Sequence, residues 1–370
     1  MQAIGVIPGR REVSLIEHIA PELSAPDQVK VRSLDVGICG TDKEICSFVY
    51  GSPPPGFDYL VLGHESLGEV VEVGSGVSDL KPGDLVVPSV RRPCAHHECL
   101  PCRSRLQDFC STGDFTERGI KMTHGFLTEH YVEDAKYLTF VPRALREIGV
   151  LVEPLTVAEK AMAQVWRLQE RLPWVNPKHA QNGRGTGLRA VVLGAGPVGI
   201  LGAMKLKAAG FETFVYSRSP APNPKSDLVE SFGAKYICAQ ECSPEALAER
   251  VGNIDLVYEA VGAARISFEV MKFLGMNGIF VFTGIPAPKP PIGIDADIIM
   301  RNQVLKNQIV VGTVNADGSA FQEAINDLGV FLERWPESIR ALISGRHPLK
   351  SYRELLLGHK GGIKNIITFE

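Results

Sequence analysis

Three observations predict an α/β chain in two parts, a β-rich module followed by a doubly wound parallel-sheet domain. Short β-type runs broken by Gly and Pro fill the first part, a glycine turn joins a strand to a helix near residue 194, and a βαβ rhythm follows it. The length agrees, because 370 residues exceed one ordinary core and two domains are the natural division.

Taken in order, the runs at 29–34, 68–74 and 84–88 are strands of an antiparallel, β-rich module. From 153 to 170 the period becomes helical, with Leu155, Ala158, Ala161, Met162 and Val165 on a common side. Residues 181–187, Gln-Asn-Gly-Arg-Gly-Thr-Gly, read as a flexible loop. Beyond it, runs ending near Tyr216, Ile237, Tyr258 and Thr283 alternate with helix-like segments, the pattern of a parallel sheet. The proline-rich stretch 286–291 is a loop beside that sheet, and no internal repeat is evident.

Composition narrows the function classes. With 45% hydrophobic residues, 22% charged and a formal net charge of -3, the chain has no general attraction to nucleic acid or to an anionic membrane. The start Met1-Gln2-Ala3-Ile4 lacks the charged, apolar and small-residue regions of a signal peptide, and no apolar run is long enough to span a bilayer, so a cytoplasmic location is expected. Of eight cysteines, four fall at 94, 99, 102 and 110, a clustering that in an intracellular chain favours metal over cystine.

Gly194-Ala195-Gly196-Pro197-Val198-Gly199 follows the apolar run Ala190-Val191-Val192-Leu193. In such a turn the first Gly makes the bend, the second lets the backbone approach a pyrophosphate, and the third allows close helix packing, with phosphate on the helix N-terminus. The acidic residue that would bond a ribose 2′-hydroxyl about 20 positions on is missing. Ser217-Arg218-Ser219 stands there instead, and an Arg with hydroxyl neighbours suits a 2′-phosphate, which favours NADP and leaves NAD open. Thr283 is a further candidate cofactor contact.

Metal donors form two groups. Cys39, in Gly37-Ile38-Cys39-Gly40-Thr41-Asp42, and His64-Glu65 supply a thiolate, an imidazole and a carboxylate, the mixed set of a catalytic zinc with a position left for substrate. Cys99-x2-Cys102-x7-Cys110 can wrap a structural zinc; Cys94 is favoured as its first ligand because a soft thiolate set suits that role, with His96 and His97 as alternatives. A metal that polarises oxygen and a dinucleotide site on one chain together suggest metal-assisted hydride transfer. His18, His124, His130, His179, His347 and His359 lack metal-like spacing and read as structural, and Trp166 and Trp174 as packing anchors.

On these motifs, and on Ile363-Lys364-Asn365-Ile366-Ile367, the chain resembles the zinc-dependent medium-chain dehydrogenase/reductase superfamily over essentially its whole length. Arg91-Arg92-Pro93-Cys94, 113–120, Leu151-Val152-Glu153-Pro154-Leu155 and Gly312-Thr313-Val314-Asn315-Ala316 are similar to its glucose dehydrogenase branch. The resemblance implies a GroES-like catalytic domain over 1–157, a Rossmann domain over 158–312 and a return to the catalytic domain over 313–370. It implies that Cys39, His64 and Glu65 hold the catalytic zinc, Glu65 in some states only, with Glu153 a further carboxylate for zinc, its water or the sugar. Thr41 would accept the substrate proton, and Ser89, Glu117, Glu153 and Asn315 would bind sugar hydroxyls. Bland roles compete: a turn cap for Ser89, a pairing of Glu117 with Arg118 or Arg92, a turn for Asn315. Val157 is apolar where several relatives carry a polar sugar contact. The implied activity is oxidation of an aldose C1 hydroxyl, with a polyol or secondary alcohol as the nearest alternative and a non-catalytic dinucleotide-binding protein as the distant one. A homodimer or homotetramer is the implied assembly.

Overall fold

The computed structural model describes residues 1–173 and 183–369; Trp174, His179 and the start of the loop at 181–187 lie outside them. The chain divides into two units, the first comprising 1–156, 315–329 and 343–370, the second 157–314 and 330–342.

The first unit is built on a seven-stranded sheet, at whose centre lies the strand Gln28–Gly37. Its burial alternates at first and becomes continuous from Ser33 onward, so the strand begins with one face on the core and ends with both faces covered. Glu65–Val73 pairs antiparallel along one side; His130–Asp134 and then Lys364–Thr368 share the other. The C-terminal strand thereby lies beside residues 35–37, directly before the Cys39 motif. One apolar core joins Val29, Val31, Val36, Leu62, Phe126 and Leu127 to Tyr352, Leu355, Leu356 and Ile367. Burying each such side chain contributes roughly 1.5–3 kcal/mol.

The second unit is a six-stranded sheet, parallel throughout, in the spatial order Lys235–Cys238, Glu212–Ser217, Arg189–Leu193, Leu256–Glu259, Ile279–Phe282, Ile309–Gly312. In chain order this is the doubly wound arrangement with its switch point beside the first strand, where dinucleotides bind. The helix Pro197–Ala208 buries Ile200, Leu201, Ala203, Met204 and Leu206 against it. The expected C-terminal return to the first unit is interrupted: 330–342 belong to the second. The reason is apolar anchoring, since Phe331 and Ile339 are fully buried, Trp335 packs on Phe232, and Ser338 Oγ lies 2.8 Å from Ser231 Oγ. Among the described residues no helix is long and apolar enough to cross a membrane.

Asp35, fully buried in the central strand, accepts from Thr368 Oγ1 at 2.9 Å, from Arg346 at 2.8 Å and from Arg146. It ties the C-terminal strands to the N-terminal sheet. Replacing Asp35 with Ala leaves two guanidinium groups without their shared counter-charge, and should lower the first urea-unfolding transition by about 3 kcal/mol. Faster hydrogen exchange over 343–348 and 364–368 is expected; wild-type exchange there would show that the carboxylate is dispensable.

Candidate active site

Cys39 sits at the N-cap of the short helix Gly40–Cys46 in extended conformation, and Thr41 lies in the first turn. His64 and Glu65 stand at the start of the strand Glu65–Val73, whose Glu65 pairs with Gly37. Gly63, at φ 90°, makes the bend before His64. Its backbone is pressed by Gly119 and Gly125, where added side chains would run into the Gly63 main chain.

These elements bring one donor atom each from Cys39, His64 and Glu65 to within 4.8 Å of one another. A thiolate, an imidazole and a carboxylate so grouped fit zinc and leave room for a further ligand. Asp42, buried completely, supports two of them: its Oδ2 accepts from the Cys39 N–H at 2.8 Å and its Oδ1 lies 3.4 Å from His64 Nδ1. A carboxylate behind a ligand histidine fixes its orientation and leaves the other ring nitrogen for metal. Burial alone would lower the His64 pKa, but Asp42 and Cys39 more than reverse this and raise it well above 6.5 in the metal-free protein.

Glu153, partly exposed in the first turn of the helix Val152–Gln169, falls outside the three-residue ligand group and meets it through its charge. Loss of hydration raises its carboxyl to about 7, helped by repulsion from Glu65 and Asp42 and only partly offset by the pull of His64 and Lys364. Lys364 is a residue sequence reasoning left unassigned. It is 1% exposed, contacts Glu65 Oε2 and donates to the Ile38 carbonyl at 3.1 Å. Burial would lower its pKa, yet Glu65, Cys39 and Glu153 raise it, so the ammonium stays charged.

The remaining candidates separate. The pairing of Glu117 with Arg118 or Arg92 that the sequence allowed does not form, because both of those arginines hold Glu133 instead. Glu117 Oε1 accepts from Arg91 Nε at 3.0 Å and from Asn315 Nδ2 at 2.6 Å, and Asn315 is left-handed at φ 59°. Two candidate sugar contacts are thus joined, whereas Ser89 is buried with its hydroxyl accepting from Arg92 at 3.2 Å. Val61 N–H donates to His124 at 3.1 Å, and this ring packs with His18, Phe57 and Tyr59 in an aromatic cluster.

Cys94, Cys99, Cys102 and Cys110 also place sulfur atoms within 4.8 Å of one another, while exposed His96 bonds Asp114 at 2.6 Å. The Ser111 hydroxyl lowers the Cys99 thiol to about 5, whereas burial pushes Cys102 up to about 12.

In the second unit Gly194 turns at φ 103°, and a side chain at Gly199 would meet the Gly194 carbonyl at once. The space a Cβ would take at Gly196 is open, with Pro197 and Val198 beginning the helix behind it, a cradle that fits a pyrophosphate. Arg218 is exposed just past the strand Glu212–Ser217; its carbonyl accepts from Cys238 and that of Ser219 accepts from Tyr236 at 2.7 Å. Glu259, also missed, is 1% exposed and accepts from the N–H groups of Val261, Gly262 and Gly284, shaping the loops beside Thr283.

Replacing Asp42 with Ala should weaken zinc binding 10–100-fold or about that, measured by competition with a chromophoric chelator. Because His64 must lose its proton to bind metal, affinity should fall as pH falls. Equal affinity of variant and wild type would remove Asp42 from the supporting role.

Residues 25–143 match the family described as alcohol dehydrogenase GroES-like domain, and 146–369 that described as glucose dehydrogenase C-terminus. Glucose 1-dehydrogenase of Thermoproteus tenax is 37% identical over 372 residues, covering 100% of both chains, and that of Methanocella arvoryzae 34% over 367 residues, covering 99% of each. The solved glucose dehydrogenase of Haloferax mediterranei, in complex with NADP, Zn and gluconolactone, superposes with a TM-score of 0.88 at 31% identity, covering 100% of this chain and 99% of that one. The chain therefore belongs to the zinc-dependent medium-chain dehydrogenase/reductase superfamily, in its glucose dehydrogenase branch.

Proposed function

We propose that this chain is a zinc-dependent dehydrogenase that oxidises the C1 hydroxyl of glucose, or of a closely related aldose, to the lactone with hydride transfer to NADP. The observation that carries the reading is the grouping of Cys39, His64 and Glu65, with the Thr41 hydroxyl 3.9 Å from the Cys39 sulfur, in a chain alignable end to end with glucose 1-dehydrogenases. Bound at these donors, zinc supplies a Lewis acid that lowers the pKa of a substrate hydroxyl, and bound NADP supplies the hydride acceptor.

The protein's own groups then have distinct tasks. The Thr41 hydroxyl takes the C1 hydroxyl proton and passes it towards solvent. Glu117 and Asn315 orient the remaining hydroxyls, which discriminate strongly because a buried partner left unpaired is costly. Glu153 adds a carboxyl whose raised pKa lets it donate or accept a hydrogen bond near neutrality. Arg218, with Ser217 and Ser219, meets the ribose 2′-phosphate, and this supports NADP over NAD. The alternative of a polyol or secondary alcohol substrate rests on the apolar Val157.

Two further parts belong to this reading. The four grouped cysteines hold a structural zinc. Assembly as a homodimer or homotetramer is supported by the exposed Ile298, Met300, Val304 and Leu305 on the helix Ala296–Leu305, beside the edge strand Ile309–Gly312 with exposed Val310.

Assays with aldoses, polyols and simple alcohols should show turnover of glucose with NADP that disappears on verified zinc removal and returns with zinc. Full turnover without metal, or alcohols accepted and every sugar refused, would overturn the reading. Replacing Arg218 with Ala should raise the KM for NADP about tenfold or more while sparing NAD; equal effects on both would sink the phosphate role. In light scattering after gel filtration the wild type should elute as an oligomer, and Val304→Asp should dissociate it; an unchanged mass would place the interface elsewhere.

A further inference from the structure

Arg91 is buried, 6% exposed, and lies between two parts of the first unit. On one side its Nε and a terminal nitrogen both reach Glu117 Oε1 at 3.0 Å, the same oxygen that accepts from Asn315. On the other, the second terminal nitrogen donates to the Asp108 carbonyl at 3.1 Å. The guanidinium stacks on Phe115, 3.6 Å from the ring centroid, and Gln107 Nε2 donates to the Arg91 carbonyl at 3.4 Å. Gln107 and Asp108 form the turn that runs into Cys110, whose N–H donates to the Gln107 carbonyl at 3.1 Å. The cysteine lobe and the Glu117–Asn315 pair therefore share one planar cation, and a buried cation of this kind cannot release one partner without redistributing its donors among the others.

We infer that Arg91 is a positioning residue through which order in the four-cysteine lobe sets the pose of Glu117 and Asn315, and with it the affinity for the sugar. The inference rests on the reading of Glu117 and Asn315 as sugar contacts. A lobe held by metal keeps the Asp108 carbonyl in place, so the guanidinium presents only one edge to Glu117 and leaves its other oxygen for a substrate hydroxyl. A loosened lobe frees that donor to turn on the carboxylate and compete with substrate. Lysine, with one compact ammonium, cannot bridge both sides.

The test compares Arg91→Lys, Cys110→Ser, their combination and Glu117→Gln as purified holoenzymes, with zinc content, hydrogen exchange over 106–118, KM and kcat for glucose, and KM for NADP. Cys110→Ser should lose one zinc per chain, exchange faster over 106–118 and raise the KM for glucose about tenfold, the scale of one charge-assisted hydrogen bond. The loss should fall mainly on KM for glucose rather than on kcat, with KM for NADP unmoved. Arg91→Lys should raise KM similarly with both zincs retained, and the double variant should add little, because the two act along one path. A Glu117→Gln enzyme with wild-type KM would refute the sugar-contact reading itself. If Glu117→Gln raises KM but Cys110→Ser and Arg91→Lys do not, or if those two raise it independently, the Arg91 bridge is overturned.

Discussion

The group of Cys39, His64 and Glu65 is organised around a cation that water cannot reach. Lys364 is fully enclosed, and its ammonium is kept charged only because Glu65, Cys39 and Glu153 surround it with negative groups. Those same groups need positive charge nearby, since thiolate and carboxylates crowded in a dry site repel one another. Lys364 meets part of that need from a strand 326 residues away from the Ile38 carbonyl it bonds. The return of the C-terminal segment to the first unit is thus an electrostatic requirement of the ligand group as well as a matter of sheet pairing. One oxygen of Glu65 is committed to this ammonium even though Glu65 stands with Cys39 and His64 in the grouped donors.

What could be read in the chain beforehand follows from how local the physics is. The turn at Gly194 to Gly199 is a steric demand satisfied within six residues, and the grouping of the four cysteines needs only a short loop, so both are visible as spacing. Parallel strands ending near Tyr216, Ile237 and Tyr258 show as apolar runs for the same reason. Arg91 and Arg92 are a different matter. Adjacent residues of a strand point to opposite faces, so one meets Glu117 and its neighbour Glu133, and composition cannot tell which. Lys364 and the helix Pro336–Ala341 were illegible because their partners lie far along the chain, Ser231 and Phe232 in the latter case. Asp42 could have been suspected, since an acid three residues after an N-cap commonly bonds back to it.

Glu259 shows the same economy in the second unit. Its two oxygens order loops from two neighbouring strands at the carboxyl end of the sheet, doing with one side chain what separate turns would need several residues to do. Placing a buried carboxylate there costs desolvation, which three main-chain N–H groups offset. The cofactor end of that sheet is therefore shaped by a residue that no dinucleotide motif includes.

The contact of Gly63 with Gly119 and Gly125 carries a lesson for redesign. Three chain segments meet there as bare backbone, leaving no side chain to shorten, lengthen or rotate. Libraries aimed at new substrates would find these three positions closed to any side chain. Variation beside His64 has to come from neighbours that carry side chains, because at these three positions the backbone itself fills the space.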